Sequence, residues 1–190
     1  MMFKSHDQLK MWILSALFAA IIGILAQVTV PLPLVPITGQ TLAVGLAATI
    51  LGSRYGTFSV ILYALIGAIG IPVFSEMSGG FGVIVGPTGG YIVGFIPAAF
   101  LTGFILEKTS FTVMKGLIAN TIGMLVTLSI GTVWLKIAVE MTWADAFISG
   151  FLPFIVVGLI KAFLASWIGT TVYNRLVAAK LLPSSHQVAS

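Results

Sequence analysis

Long apolar runs alternate along the chain with short breaks rich in polar, glycine or proline residues. No charged residue occurs between Lys10 and Arg54. That stretch is too long for one membrane span, since a helix crosses the hydrocarbon in roughly 20 residues. Pro31, Pro33 and Pro36 divide it, because each removes a backbone donor and restricts the residue before it. The pattern predicts one helix from about Gln8 to Val30 and a second from about Gly39 to Leu51. After Arg54 the apolar run from Tyr55 to Phe74 predicts a third. A break from Ser75 to Gly90 follows, rich in Gly and carrying Glu76. Three further helices are expected over about Gly90–Leu106, Lys115–Leu135 and Ser149–Leu176, with a polar connector holding Lys136, Glu140 and Asp145 before the last. Residues 1–182 thus read as a single six-helix transmembrane domain, and residues 183–190 as a flexible polar tail.

Composition fixes the surroundings of these helices. Of the 190 residues 58% are hydrophobic and 7% charged, whereas soluble domains carry about 25% charged residues. The fold class expected is therefore an all-α integral membrane protein, with no length left for a separate catalytic or nucleic-acid domain. The net charge of +4 comes from nine cations spread thinly along the chain. Nothing in that spread resembles a phosphate-binding footprint, so no nucleic-acid partner is expected. The cations report topology instead. With both termini in the cytoplasm, Lys4, Lys10, Arg54, Lys108, Lys115, Arg175 and Lys180 fall inside and only Lys136 outside, the skew that the positive-inside rule requires of a multi-pass cell-membrane protein. The first helix has a basic start, but its apolar run is long and no small-x-small site lies between Gln27 and Pro33, so it reads as a retained span. There is no Cys, and the two histidines, His6 and His186, lie near the ends. No metal, cofactor or thiolate chemistry is expected, and no Ser-His arrangement or paired carboxylate suggests an enzyme.

A few residues stand out against this background. Lys161 lies near the middle of the apolar run Phe151 to Tyr173, which at about 1.5 Å per residue puts its backbone near the bilayer midplane. Ionisable residues at that depth face a cavity or a partner, and no acid lies within a span. Three readings are open: contact with a substrate carboxylate, pairing with a loop acid such as Glu76, or extension along the helix to one surface. The segment from Gly79 to Tyr91, with Gly80, Gly82, Gly86, Gly89 and Gly90, is too glycine-rich for a stable helix and too apolar for a solvated linker. Irregular backbone at that depth must be buried by protein or line a cavity. Its exposed amides and carbonyls, with Pro87, Thr88 and Tyr91, suit either a small polar ring system or a tightly packed re-entrant turn. Thr38 and Gln40 form a polar group in an apolar region. Gln40 can complement an amide or ureido edge, or it can cap the second helix. On the first helix Ala16 and Ala20 make a stripe of small side chains four apart, with Ser15 and Ala19 beside them, which lets another helix approach closely. Trp12, Trp134 and Trp143 fall near the expected interfaces, where aromatic anchors are common, and Trp167 lies deeper as a packing or lipid-facing group.

The run Val35-Pro36-Ile37-Thr38-Gly39-Gln40-Thr41, the pair Gly79-Gly80 leading into Gly86-Pro87-Thr88-Gly89-Gly90-Tyr91, and Leu152-Pro153-Phe154 ahead of Leu159-Ile160-Lys161 resemble the biotin transporter family BioY. The resemblance covers essentially the whole chain. It implies the substrate-specific S component of an energy-coupling factor (ECF) importer, a six-helix protein that binds biotin under a lid of loops. Release would then be driven by a transmembrane T component and ATP-binding A subunits. By the same resemblance Lys161 lies near the bound vitamin, with the valerate carboxylate as its counter-ion; Gln40, Thr38, Ser78, Gly80, Pro87, Thr88, Gly90 and Tyr91 are expected to make up the rest of the site. Ala16 and Ala20 match the contact with the partner subunit. Two positions depart from many members of the family: Gly158 stands where an acid is common, three before Lys161, and Ser78 stands where Arg is common. Either backbone groups and Gln40 take over the ureido contacts, or affinity or specificity differs. The alternative class is a small secondary transporter or channel for another carboxylated solute, but a cation-coupled carrier would more often place acids or broken helices near the midplane, and no acid lies there.

Overall fold

Apolar side chains surround every long segment, so the chain must satisfy its own backbone amides, and it does so almost entirely as helix. The computed structural model describes residues 5–182. Its elements in order are α1 (Ser5–Ala26), a short ribbon of β1 (Thr29–Val30) and β2 (Ile37–Thr38), α2 (Gln40–Ala68), a turn of 3-10 helix at Ser75–Met77, α3 (Phe81–Val85), α4 (Gly89–Lys108), α5 (Val113–Ala138), α6 (Trp143–Gly150) and α7 (Leu152–Ala178). Among the described residues five helical stretches are long and apolar enough to cross a membrane: Asp7–Ala26, Gln40–Ala68, Gly89–Lys108, Val113–Ala138 and Trp143–Ala178. The protein is an all-α multi-pass membrane protein. The tail expected over 183–190 lies outside the described residues, as do Lys4 and His186.

The long element α2 is not one rod. Gly52, at φ 79° and ψ −174°, interrupts its helical backbone, a conformation open essentially to glycine alone. Gly56 lies against the backbone of Ala47 and Ala48, which is possible only if the chain folds back at Gly52. The two arms accordingly run in opposite directions beside α1. Gly39 packs on Leu25 at one end of α1, and Ser15 Oγ, at the middle of α1, donates to the Tyr55 carbonyl at 3.2 Å. Residues 53–68 then climb back to bring Val73 against Gly23. At the fold-back the Glu107 carboxylate accepts from the Ser53 amide and hydroxyl, both at 2.7 Å. It thereby satisfies the free amide end of the returning arm, where an anion is favoured.

The helix boundaries differ from expectation where tertiary structure competes with apolarity. The first helix ends at Ala26 and not at Val30, because Val28 O accepts from the Gly39 amide at 2.9 Å and Thr29 and Val30 pair with Thr38 and Ile37. The second helix ends where expected, at Leu51, with the reversal at Gly52 just ahead of Arg54. The returning arm stops at Ala68, short of Phe74, as Gly70 turns at φ 107° and Pro72 follows. Phe74, fully buried, turns inward onto Gly67 and Tyr63. The connector after α5 carries a helix of its own, α6, whose N-cap Thr142 accepts from the Asp145 amide. The last helix begins at Leu152, with Pro153 in its first turn, and not at Ser149. The glycine-rich segment, expected to be irregular throughout, is helical over Phe81–Val85.

Small residues set the packing. Ala43, Ala47, Ala48, Ala99 and Ala119 are completely buried, and Gly103 on α4 abuts the Ser53 backbone, so helices approach at backbone distance. The fold-back is the feature most sensitive to single substitutions. Gly52→Ala is expected to cost about 1–3 kcal/mol from strain alone, with a further loss because its Cβ would overlap a Glu107 carboxylate oxygen. The cost should be read as a lower unfolding midpoint of the protein in detergent. A midpoint equal to wild type would mean that the arms are not joined by a reversal at this residue.

Candidate ligand-binding site

The proline-interrupted segment ahead of α2, the first turns of α2 and α4, the middle of α5 and the first half of α7 surround a cavity. Val35, Pro36, Thr38, Gln40, Thr41, Ser75, Thr88, Tyr91, Ile92, Phe95, Met124, Thr127, Leu128, Phe154 and Lys161 line it. Most of the wall is apolar or aromatic, with a few converging polar groups, the usual composition of a small-molecule site.

Lys161 is the charged group in that wall. Its half-buried ammonium donates to the Thr38 carbonyl at 2.6 Å and to Thr41 Oγ1 at 3.2 Å. Thr38 lies just before the helix N-cap Gly39, so its carbonyl is not consumed by the α2 ladder. An ammonium carries three donors, and two are engaged by these bonds. Glu76 is exposed in the turn Ser75–Met77 and does not fold inward to meet the lysine.

Thr38 and Gln40 brace one another. Thr38 Oγ1 donates to Gln40 Oε1 at 3.0 Å and accepts from the Gln40 amide at 3.3 Å. Gln40 Nε2 donates to the Tyr63 hydroxyl. The side-chain amide is therefore held in one orientation, with one N–H and one lone pair to spare. Tyr91 presents its ring to the cavity beside Phe154, with centroids 6.1 Å apart, while its hydroxyl donates to the Gly150 carbonyl at 2.7 Å. That bond ties the start of α4 to the joint between α6 and α7.

Of the residues singled out from sequence, Lys161, Gln40, Thr38, Thr88 and Tyr91 meet at this cavity. Ser78, Gly80, Pro87 and Gly90 lie in the outer segment and do not form its wall. Ser78 Oγ donates to the Ser75 carbonyl at 2.6 Å, and the Gly80 amide donates to the Gly67 carbonyl at 2.7 Å. Pro87 is exposed, and Gly90 abuts Trp134, whose indole N–H donates to the Gly86 carbonyl at 3.0 Å. Trp134 thus fastens the glycine-rich segment as well as lying near an expected interface. Trp167 is 55% exposed on the outside of the bundle. Ala16 and Ala20 face outward from α1, and Ser15 and Ala19 face inward.

Several wall residues escaped the sequence reading: Ser75, Ile92, Phe95, Met124, Thr127 and Leu128. A signal for part of this set exists, since Met124, Thr127 and Leu128 share one helix face and Thr127 is polar within an apolar span. Gly158 lines a smaller recess inboard of the cavity, with Thr102, Asn120 and Lys161. The space beside its α-carbon is filled by Met124 Sδ. Asn120, buried in that recess, donates to Thr49 Oγ1 and the Gly116 carbonyl, each at 3.0 Å. Among the described residues no group of three His, Cys, Asp or Glu side chains gathers to hold a metal.

Long apolar helices around a mostly apolar cavity with one ammonium define a membrane protein that binds a small solute rather than one that does chemistry on it. Comparison with known proteins agrees. The model of the BioY family matches residues 2–178. The biotin transporter BioY2 of Lactococcus lactis subsp. cremoris is 42% identical over 163 residues, 86% of this chain and 90% of that protein. The biotin transporter BioY of Thermotoga maritima is 38% identical over 160 residues, 84% of this chain and 94% of that protein. The crystal structure of the S-component for biotin from an ECF-type ABC transporter superposes with a TM-score of 0.85 at 30% identity, covering 91% of this chain and 95% of that one. The chain belongs to the BioY family.

The brace behind Gln40 is open to direct test. Tyr63→Phe leaves a buried amide donor without its acceptor, which is expected to cost about 1–3 kcal/mol and to lower the thermal unfolding midpoint. An unchanged midpoint would show that Tyr63 does not hold Gln40.

Proposed function

We propose that this chain captures biotin from outside the cell as the S component of an ECF-type importer, with ATP hydrolysis carried out by separate subunits. Family membership over nearly the whole chain supports this reading. The observation that carries it to the residue level is the Lys161 ammonium in the wall of a largely apolar cavity, with a donor beyond its two bonds to Thr38 and Thr41. Biotin combines an apolar bicyclic body, a ureido edge and one carboxylate. The aromatic and aliphatic wall suits the body, the spare amide valences of Gln40 and the hydroxyl of Thr88 suit the ureido edge, and Lys161 suits the carboxylate. Position 158 is not part of that wall, and Met124 fills the space that a side chain there would enter.

The topology proposed is six crossings with both termini cytoplasmic. The fold-back at Gly52 supports it, because the two arms of α2 run in opposite directions and the cations Arg54, Lys108 and Lys115 then gather at the end of the bundle that holds Glu107. The opposite end carries Lys136, whose ammonium sits 5.4 Å from the Trp143 ring centre. The outward-facing Ala16 and Ala20 on α1 are proposed as the surface on which the T component docks.

Equilibrium binding to the purified protein tests the site. Lys161→Met is expected to weaken biotin binding about 30-fold or more, as when one partner of a buried charge pair is truncated. Biotin amide, which lacks the charge, should bind wild type and variant alike. Equal loss of both ligands would assign Lys161 to the ring and not to the carboxylate, and no loss of either would remove it from the site. The absence of native Cys makes topology accessible too: a lone cysteine replacing Ser110 should react with an impermeant maleimide only after the membrane is opened, and one replacing Thr142 should react in intact cells. Replacing Ala16 and Ala20 by Leu should leave biotin binding intact and abolish transport. Normal transport by that variant would place the docking surface elsewhere.

A further inference from the structure

The turn Ser75–Met77 at the outer end of the cavity is held in a conformation that its own residues disfavour. Glu76 and Met77 both have positive φ, at 58° and 54°. Such left-handed backbone at consecutive non-glycine residues persists only where the surroundings over-determine it. The side chains of Glu76 and Met77 are exposed and supply no such packing.

One side chain from another element supplies it. Gln27, the residue after α1, accepts from the Met77 amide through Oε1 at 2.9 Å, and its Nε2 donates to the Phe74 carbonyl at 2.9 Å. The same Nε2 donates to the Gly23 carbonyl at 3.0 Å, which fixes the amide to the end of α1. A single amide therefore brackets the turn on both sides. Inside the bracket, Ser75 is part of the cavity wall. Phe74 packs edge-on against Tyr63, with centroids 5.5 Å apart, and Tyr63 accepts from Gln40. A displacement of the turn moves the Ser75 wall directly and reaches Gln40 through Phe74 and Tyr63. Gln27 itself does not line the cavity.

We infer that Gln27 is a positioning residue for ligand capture, a latch that holds the Phe74–Met77 turn over the outer end of the cavity and so sets how fast ligand enters and leaves. The inference rests on the reading of this cavity as the biotin site. The test uses the full chain in detergent, with association and dissociation rates of labelled biotin measured alongside hydrogen exchange at backbone amides. Gln27→Met preserves length and packing but removes all three hydrogen bonds. It is expected to raise the dissociation rate about tenfold, the scale of losing two net hydrogen bonds, and to raise the association rate as well, so that Kd shifts less than the dissociation rate. The Met77 amide should exchange faster while amides in α4 and α5 keep their protection, which separates an opened latch from a loosened fold. Gln27→Glu keeps an acceptor for Met77 and loses the donor to Phe74. It should preserve Met77 protection better than Gln27→Met while still speeding release. Rates within twofold of wild type in Gln27→Met, or unaltered exchange at Met77, would overturn the latch. Failure of the wild-type protein to bind biotin would overturn the reading of the site instead, and Met77 exchange would still report whether Gln27 holds the turn.

Discussion

The Lys161 ammonium, half-buried on an otherwise apolar helix, must be solvated largely by protein groups, and much of the structure follows from how that is done. Inside a helix each carbonyl already accepts from the amide four residues on, so the acceptor with the most capacity to spare is one outside the ladder. The chain offers one by breaking α2 from what precedes it. Thr38 lies before the helix begins, its carbonyl is unused by the ladder, and it accepts from Lys161 at 2.6 Å. That bond, with the one to Thr41, joins the last long helix to the start of the second across a separation of more than a hundred residues in sequence. The prolines, the two-residue ribbon and the packing of Gly39 on Leu25 then read as the means of bringing an uncommitted carbonyl to that place.

The same constraint shapes the other end of the bundle. A reversal within an apolar stretch frees the amides that begin the returning arm, and in a membrane these need partners. Glu107 provides them through the Ser53 amide and hydroxyl, so a charge that terminates α4 also caps a different helix. Gly52 supplies the backbone geometry and leaves room for the carboxylate. Both ends of the molecule thus work by one rule: where helix stops, a side chain distant in sequence satisfies what the helix leaves open.

That rule also explains what could be read without coordinates. Apolar runs and proline or glycine breaks are local, so the helices and their approximate limits were legible, as were Lys161, Thr38, Gln40, Thr88 and Tyr91, each a polar or aromatic residue conspicuous in its setting. The helix α6 was missed because Asp145 and Lys136 look like solvated connector, while its cap is a contact between Thr142 and Asp145 three residues apart. Gln27 and Glu107 were not assigned their parts because their significance lies in bonds to Phe74, Met77 and Ser53 that no periodicity reveals, and Ser75 because only tertiary packing brings it to the cavity wall. Met124 was hidden for a different reason: methionine in an apolar span is unremarkable until its sulfur is seen filling the space beside Gly158.

The cavity wall therefore divides into a part braced between long helices and a part fastened at a few points. Lys161, Thr38, Thr41 and Gln40 are locked to one another and to Tyr63 by hydrogen bonds between long helices, and the faces of α4, α5 and α7 complete a floor that cannot shift without repacking small residues at backbone distance. The outer wall is different in kind. The segment from Gly70 to Gly86 carries exposed apolar side chains, strained backbone and a helix of only five residues, and it is fastened at discrete points by Gln27 and Trp134. Specificity requires the first kind of construction, because polar groups discriminate only when their orientation is fixed beforehand. Entry and exit require the second, because a cavity closed by a continuous helical core would not exchange its ligand. On the proposed reading of the cavity, an ammonium held between long helices and a strained turn fastened at a few points let one small chain hold a solute selectively and still admit it.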